Sequence, residues 1–270
     1  MESILRDEIM NFLLMHGLLN KHQHGFLAKH STGTQLLECL HDWTRDIEKG
    51  MNIDVCYIDF SKAFDSVSIP KLLVKLSAYG LRGKVYEWLD DFLTNRTFCV
   101  RVDNHCSAEM LQTSGVPQGS VLGPLCFVLF INELPLCVKH SICKLYANDV
   151  KMYNIFKDDT LCKLFQSDID SVASWANTWQ LTVSLTKTVM LHIGHNNPKH
   201  VYTMNGTNIG SVNTIKDLGV YVSSDLSWKY HCFETAKRAS RIANIILHSF
   251  SCRDVNVYLR AFDTGPGHVV

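Results

Sequence analysis

Asp59 closes the apolar run Val55-Cys56-Tyr57-Ile58, and Asp149 ends the polar tight turn Tyr146-Ala147-Asn148-Asp149, which lies between the β-like runs 141–145 and 150–156. An aspartate at a strand end beside an acidic hairpin supplies hard oxygen ligands. Mg²⁺ takes such ligands, and two such ions clamp both oxygens of an in-line displacement. The turn is short of one carboxylate, because Asn148 keeps the size of an aspartate but replaces one oxygen with an NH₂ that cannot ligate. Each piece alone has an ordinary explanation: Asn-Asp is common hairpin chemistry, and a lone aspartate often ends a strand.

The order of several segments changes that weighing. Asp59-Phe60-Ser61-Lys62-Ala63-Phe64-Asp65 is followed by Ser114-Gly115-Val116-Pro117-Gln118-Gly119-Ser120-Val121-Leu122-Gly123-Pro124, and then by the turn at 146–149. Together they resemble the reverse transcriptase, an RNA-directed DNA polymerase, of a non-LTR retrotransposon of the LINE-like, jockey/CR1 type. That family's turn normally reads Tyr-Ala-Asp-Asp. The resemblance implies an α/β (α+β) right-hand polymerase, with partial fingers at 1–53, a palm with inserted fingers elements at 54–225 and a thumb-like helical segment at 226–270. It also implies RNA-templated DNA synthesis by two-metal nucleotidyl transfer, with two Mg²⁺ ions, an RNA template, a DNA primer and deoxynucleoside triphosphates.

The same resemblance assigns residues. Asp59 becomes the carboxylate that bridges both metals, the Phe60 backbone carbonyl a further metal ligand, and Asp149 a supporting acid. Phe64 falls where the family places a bulky ring against a ribose 2′-hydroxyl; as plain structure it is a core phenylalanine. Gly115, Pro117, Gln118 and Gly119 form the loop beneath the incoming nucleotide and template base, two glycines allowing close backbone approach while the proline restrains it. Lys187, after Trp179-Gln180-Leu181-Thr182-Val183-Ser184, matches the lysine offered to the departing pyrophosphate, a general-acid role; otherwise it is a surface lysine at a strand start. Asp217-Leu218-Gly219-Val220 resembles a primer-gripping hairpin, with Leu218 and Gly219 at its tip. Asp65 reads as an N-cap or turn acceptor rather than a ligand.

Departures from the family set the expected activity. Asn148 weakens metal binding and the clamp on the attacking hydroxyl, and a lost direct ligand costs more than the roughly 10–100-fold seen for outer-shell partners. After Gln23-His24-Gly25-Phe26 the family carries basic residues, whereas Leu27 and Ala28 stand here and Lys29 is a displaced candidate for the triphosphate. The chain starts close to that motif, and after Ala261-Phe262 the stretch Asp263-Thr264-Gly265-Pro266-Gly267-His268 leaves the pattern, as in a truncated, decayed copy. Little or no polymerisation is expected. A weakly active polymerase and a non-catalytic nucleic-acid-binding remnant are the alternatives.

Composition is neutral on most of this. Formal net charge is zero over 270 residues, which argues mildly against phosphate binding. Charge is uneven, however: Lys62, Lys71, Lys75, Arg82, Lys84, Arg96 and Arg101 outnumber nearby acids, and Lys237, Arg238, Arg241, Arg253 and Arg260 enrich the C-terminal end. Ten cysteines without a C-x-x-C pair or a signal peptide point to reduced thiols in an intracellular protein and away from zinc. The longest apolar stretch, 121–136, is broken by Gly123, Pro124, Asn132, Glu133 and Pro135, so a bilayer span is not expected. Oligomeric state is not legible.

The elements that must hold these groups alternate α and β. Ile4, Leu5, Ile9, Phe12 and Leu13 recur at helical spacing, as do Leu36, Leu37, Leu40 and Trp43 after cap candidates Ser31 and Thr32. A strand is predicted over 54–60, and helices over 71–79 (opened by Pro70), 83–95, 121–134, 158–179 and 227–250. Further strands are predicted over 98–102, 108–113, 187–193, 201–204 and 220–222. Trp175 and Trp179, one turn apart, read as core rings rather than base-stacking platforms.

Overall fold

In the computed structural model, residues 1–157, 160–249 and 255 are described; Asp158, Phe250, Arg253, Arg260 and the 261–268 stretch lie outside them. Helix α1 (Glu2–Met15) buries Ile9 and Leu13. Helix α2 (Thr32–Glu48) opens on a reciprocal cap, with Ser31 accepting from the Thr34 amide and the Thr34 hydroxyl accepting from the Ser31 amide. Strand β1 (Asn52–Ile58) follows, then α3 (Ile69–Ala78) with Pro70 in its first turn, and α4 (Gly83–Leu93).

Two long strands expected over 98–102 and 108–113 are instead four short ones: β2 (Thr97–Phe98), β3 (Arg101–Val102), β4 (His105–Cys106) and β5 (Met110–Leu111). All are exposed, so no buried face holds a longer ladder in register. Helix α5 (Leu122–Ile131) is apolar on every side and buried throughout except at Pro124. It stops before the expected 134, and Pro135 sits in a separate 3₁₀ turn, Leu134–Cys137.

The hairpin β6 (Ile142–Tyr146) and β7 (Asp149–Phe156) precedes α6 (Thr160–Trp179) and β8 (Val189–Ile193). The short β9 (Thr203–Met204), β10 (Thr207–Asn208) and β11 (Gly210–Val212) complete the first unit. The central sheet runs β11-β8-β1-β7-β6, antiparallel except for the parallel β11–β8 pair. Sequence reading missed β10 and β11, whose few exposed residues carry little periodicity.

One sheet face, with Cys56, Ile58, Cys143, Leu145, Val150, Met152 and Met190, packs into the main core against α3, α5 and α6. On the other, Val55 and Tyr153 pair across strands, and Trp43 of α2 meets Tyr153 edge-on at 5.7 Å. Trp175 is buried and Trp179 packs beside the core, as expected of core rings.

Among the described residues, those from Thr214 onward form a second compact unit. In it, β12 (Thr214–Asp217) and β13 (Val220–Ser223) make a hairpin with Leu218 at φ 47° and Gly219 at φ 92°, and α7 (Lys229–Ser249) packs on β13.

Candidate active site

Pairing sets the site. Ile58 of β1 lies opposite Val150 of β7, so one further step along the same register brings Asp59 opposite Asp149. Cross-strand partners share a sheet face. The pairs Tyr57↔Lys151, Lys144↔Lys151 and Tyr146↔Asp149 therefore put Tyr57, Asp59, Lys144, Tyr146, Asp149 and Lys151 on the face that α2 meets at Tyr153 and Lys144. Asp149 is exposed, while Asn148 and Asp59 are half-buried.

Beyond β1 the chain stays extended. Phe60 bridges antiparallel to Val183, the Ser61 amide donates to the Thr182 carbonyl, and the Ser184 amide donates to the Asp59 carbonyl at 2.8 Å. The Asp59 amide donates to Thr188 Oγ1 at 3.3 Å. Lys187 is thereby held in a turn before β8, not at a strand start, and its Nζ stands 3.6 Å from Asp59 Oδ2. Among the described residues nothing hydrogen-bonds that buried oxygen, and the Lys187 ammonium is the cation beside it.

The loop after β5 docks on the segment after Asp59. The Gly115 amide donates to the Val67 carbonyl and the Val116 amide to the Phe64 carbonyl. A side chain at Gly115, held at φ 90°, would meet the Asp65 carbonyl oxygen at 2.8 Å. Ser114 Oγ donates to the Asp65 carbonyl oxygen, and Gln118 Nε2 donates to the Asp65 carboxylate. Asp65 is thus an acceptor for the loop and not a helix cap, since Ser68 holds the N-cap position of α3. Pro117 precedes Gln118, and Gly119 takes φ 79° in open space. Half-buried Phe64 stacks on core Phe127 at 4.3 Å and meets exposed Phe26 edge-on at 6.3 Å. Lys29 is exposed at φ 65°.

Gln23 was legible only as part of a motif, yet the structure places its carboxamide under the turn: Oε1 accepts from the amides of Ala147 and Gly25. Two small residues in separate motifs, Gly25 and Ala147, were the available signal. Nearby, Glu38 accepts from Lys144 Nζ at 2.7 Å. Burial works against the charged carboxylate, but the Lys144 hydrogen bond and charge outweigh it and hold Glu38 below the usual range. Burial lowers His24, only partly offset by Glu38 at 3.5 Å.

Among the described residues no cluster of three or more His, Cys, Asp or Glu side chains is poised for a metal, and no helix is long and apolar enough to cross a membrane. In the second unit, Lys216, Gly219, Tyr221, His231, Lys237, Arg238 and Arg241 line a cavity of about 520 Å³ that also includes Glu234.

Residues 1–222 match the family model described as "Reverse transcriptase (RNA-dependent DNA polymerase)". The chain belongs to the reverse transcriptase family. Its relatives include the "Probable RNA-directed DNA polymerase from transposon BS" of Drosophila melanogaster, 29% identical over 70% of this chain and 22% of that protein. Another is the "RNA-directed DNA polymerase from mobile element jockey" of Drosophila funebris, 25% identical over 86% of this chain and 26% of that one. The chain thus spans about a quarter of these relatives' length. The expected kinship with non-LTR retrotransposon reverse transcriptases is borne out.

Solved structures agree on the polymerase palm fold. Telomerase from Candida tropicalis, determined in complex with a fragment of telomeric RNA, superposes with a TM-score of 0.60 at 11% identity, covering 83% of this chain and 36% of that one. The apo enzyme of the same organism gives 0.58 at 12% identity, over 84% of this chain and 40% of that one. For a reverse transcriptase, use of a divalent metal follows from the family.

Proposed function

We propose that this reverse transcriptase domain keeps the substrate-facing groups of an RNA-directed DNA polymerase and is impaired in nucleotidyl transfer at Asn148. The register that sets Asp59 opposite Asp149, with an amide side chain at the turn between them, is the observation that carries this reading. Asp59 and Asp149 are the carboxylates that would hold Mg²⁺, with the Phe60 carbonyl and Asn148 Oδ1 as neutral oxygens. Asp59 Oδ2 makes no hydrogen bond among the described residues and faces the Lys187 ammonium at 3.6 Å, a place a metal ion could take once Lys187 turns away. This donor set fits one hard divalent ion and is a carboxylate short for two.

When bound, the metal supplies Lewis-acid stabilisation of charge on the transferring phosphoryl group. The remaining groups belong to the chain. Lys187, with a side chain 71% exposed, neutralises Asp59 before substrate arrives and is free to turn toward a departing pyrophosphate. Phe64, backed by Phe127, presents an edge where a ribose 2′-hydroxyl would crowd it. Gly115 to Gly119 form the floor for the nucleotide, and Leu218 and Gly219 the primer contact. Lys29 is the candidate for the triphosphate. The partners are an RNA template, a DNA primer and deoxynucleoside triphosphates.

The basic cavity lined by Lys216, Lys237, Arg238 and Arg241 supports a second reading, a nucleic-acid-binding module without catalysis. Mg²⁺-dependent primer extension on an RNA template separates the two. The first reading expects extension by Asn148→Asp, absent or at least about 100-fold slower in the native chain. Salt-sensitive primer–template binding with no extension by either protein would overturn it in favour of the second.

A further inference from the structure

The turn that carries Asn148 and Asp149 has alanine where its backbone favours glycine. Ala147 holds φ 53° and is buried, at the first central position of a two-residue hairpin. Positive φ there is ordinarily left to glycine, because a Cβ crowds the following carbonyl. Such a conformation persists only where its surroundings over-determine it.

Residues 22–25 do so from outside the hairpin. The His24 amide donates to the Leu145 carbonyl at 2.8 Å and the Leu145 amide to the His22 carbonyl at 2.9 Å, adding a short parallel bridge at Gln23 to the edge of β6. From that bridge the fully buried Gln23 side chain reaches the turn, its Oε1 accepting from the Ala147 amide at 3.0 Å and from the Gly25 amide at 2.7 Å. Gly25 makes the approach possible: a Cβ there would lie 2.3 Å from the Ala147 nitrogen. Gln23 Nε2 hydrogen-bonds nothing among the described residues, so the carboxamide acts at this place through its oxygen.

We propose that Gln23 is a positioning residue for the metal-bearing turn: its Oε1, brought into range by the bare backbone of Gly25, pins the Ala147 amide and so fixes Asn148 and Asp149 beside Asp59. Gln23 touches neither metal nor substrate. The inference rests on the reading of that strand end as the metal site, but the pinning of the turn does not. Sequence separation is 124 residues for the bond that matters.

The test is amide hydrogen exchange in the full chain, paired with Mn²⁺ titration followed by the spin-resonance signal of the free ion. Gln23→Met removes the acceptor. It speeds exchange at Ala147 by about tenfold or more while leaving Met152 and Cys56 in the sheet unchanged, and weakens Mn²⁺ by about tenfold, the low end for outer-shell partners. If the methionine variant does not fold, Gln23→Asn, which withdraws the oxygen by one methylene, is read the same way.

Ala147 exchange that is unchanged, or that accelerates no more than Met152, overturns the proposal, the second pattern being mere destabilisation. Should neither the native chain nor Asn148→Asp bind Mn²⁺, the metal reading fails on its own, and the exchange arm still decides whether Gln23 pins the turn.

Discussion

Lys75 provides a stability test whose sign and size follow from its surroundings. It lies on α3, 3% exposed, with its ammonium 3.6 Å from the Trp179 ring centroid, 4.8 Å from that of Phe130 and 5.0 Å from that of Trp175. Glu133 pairs with it at 2.8 Å, and the Phe130 carbonyl accepts from it. Burial pulls its pKa from 10.5 down to about 8, with Glu133 resisting. Between these values the unfolded chain still binds the proton and the folded chain does not, so this residue makes stability rise with pH. The penalty is fully present below about pH 8 and is relieved toward pH 10.5. At about 1.4 kcal/mol per pH unit, that is about 3 kcal/mol.

Thiols work in the opposite direction. Burial holds Cys56 and Cys126 near 12, against an ordinary 9.0, so unfolding releases their protons in alkali and stability falls. Each costs about 2 kcal/mol by pH 10.5, enough to mask Lys75 in the raw curve. The informative quantity is the difference between the native chain and Lys75→Met, from urea unfolding at matched pH. The native chain should gain about 3 kcal/mol relative to the variant between about pH 7 and pH 10.5. A difference that stays constant within about 0.5 kcal/mol would refute the assignment of a buried, proton-losing lysine.

Asp54 is fully buried and accepts from Tyr202 Oη at 2.6 Å and Asn197 Nδ2 at 2.9 Å, with His192 Nδ1 at 2.6 Å; Asp54→Ala should cost about 3 kcal/mol and lower Tm by about 10 °C in a calorimetric scan. Ser31→Ala breaks the α2 cap and should cost about 1 kcal/mol by urea unfolding, with faster exchange confined to the first turn of the helix. Maleimide labelling mapped by mass spectrometry at neutral pH should find Cys99, Cys106 and Cys232 quickly, and Cys56, Cys126 and Cys143 only after unfolding, because the first three are exposed and burial raises the others.

Local chemistry made part of this molecule readable. The β6–β7 hairpin is bounded by its turn residues, the Ser31 cap opens α2, and Pro70 sits in the first turn of α3, each signal lying within a few residues of the element it marks. Motif resemblance brought Asp59, Asn148 and Asp149 together before the register did. Distance in sequence hid the rest: β1 sits between β7 and β8, and only that order carries Lys187 to Asp59. The 97–111 segment misled because alternation without a buried face does not specify a long strand. Gln23 stayed hidden since a glutamine in a loop motif looks the same in sequence whether it faces solvent or a buried turn.

The central claim is that one missing carboxylate at position 148 separates this domain from an active polymerase. Single-turnover primer extension on an RNA template, with Mg²⁺ and then Mn²⁺, tests it most directly when the native chain, Asn148→Asp and Asn148→Asp/Asp59→Ala are compared at equal folded concentration. The account predicts extension by Asn148→Asp at least about 100-fold faster than by the native chain, abolished when Asp59 is also removed. Native extension within a few-fold of Asn148→Asp, or silence from both proteins, would contradict it.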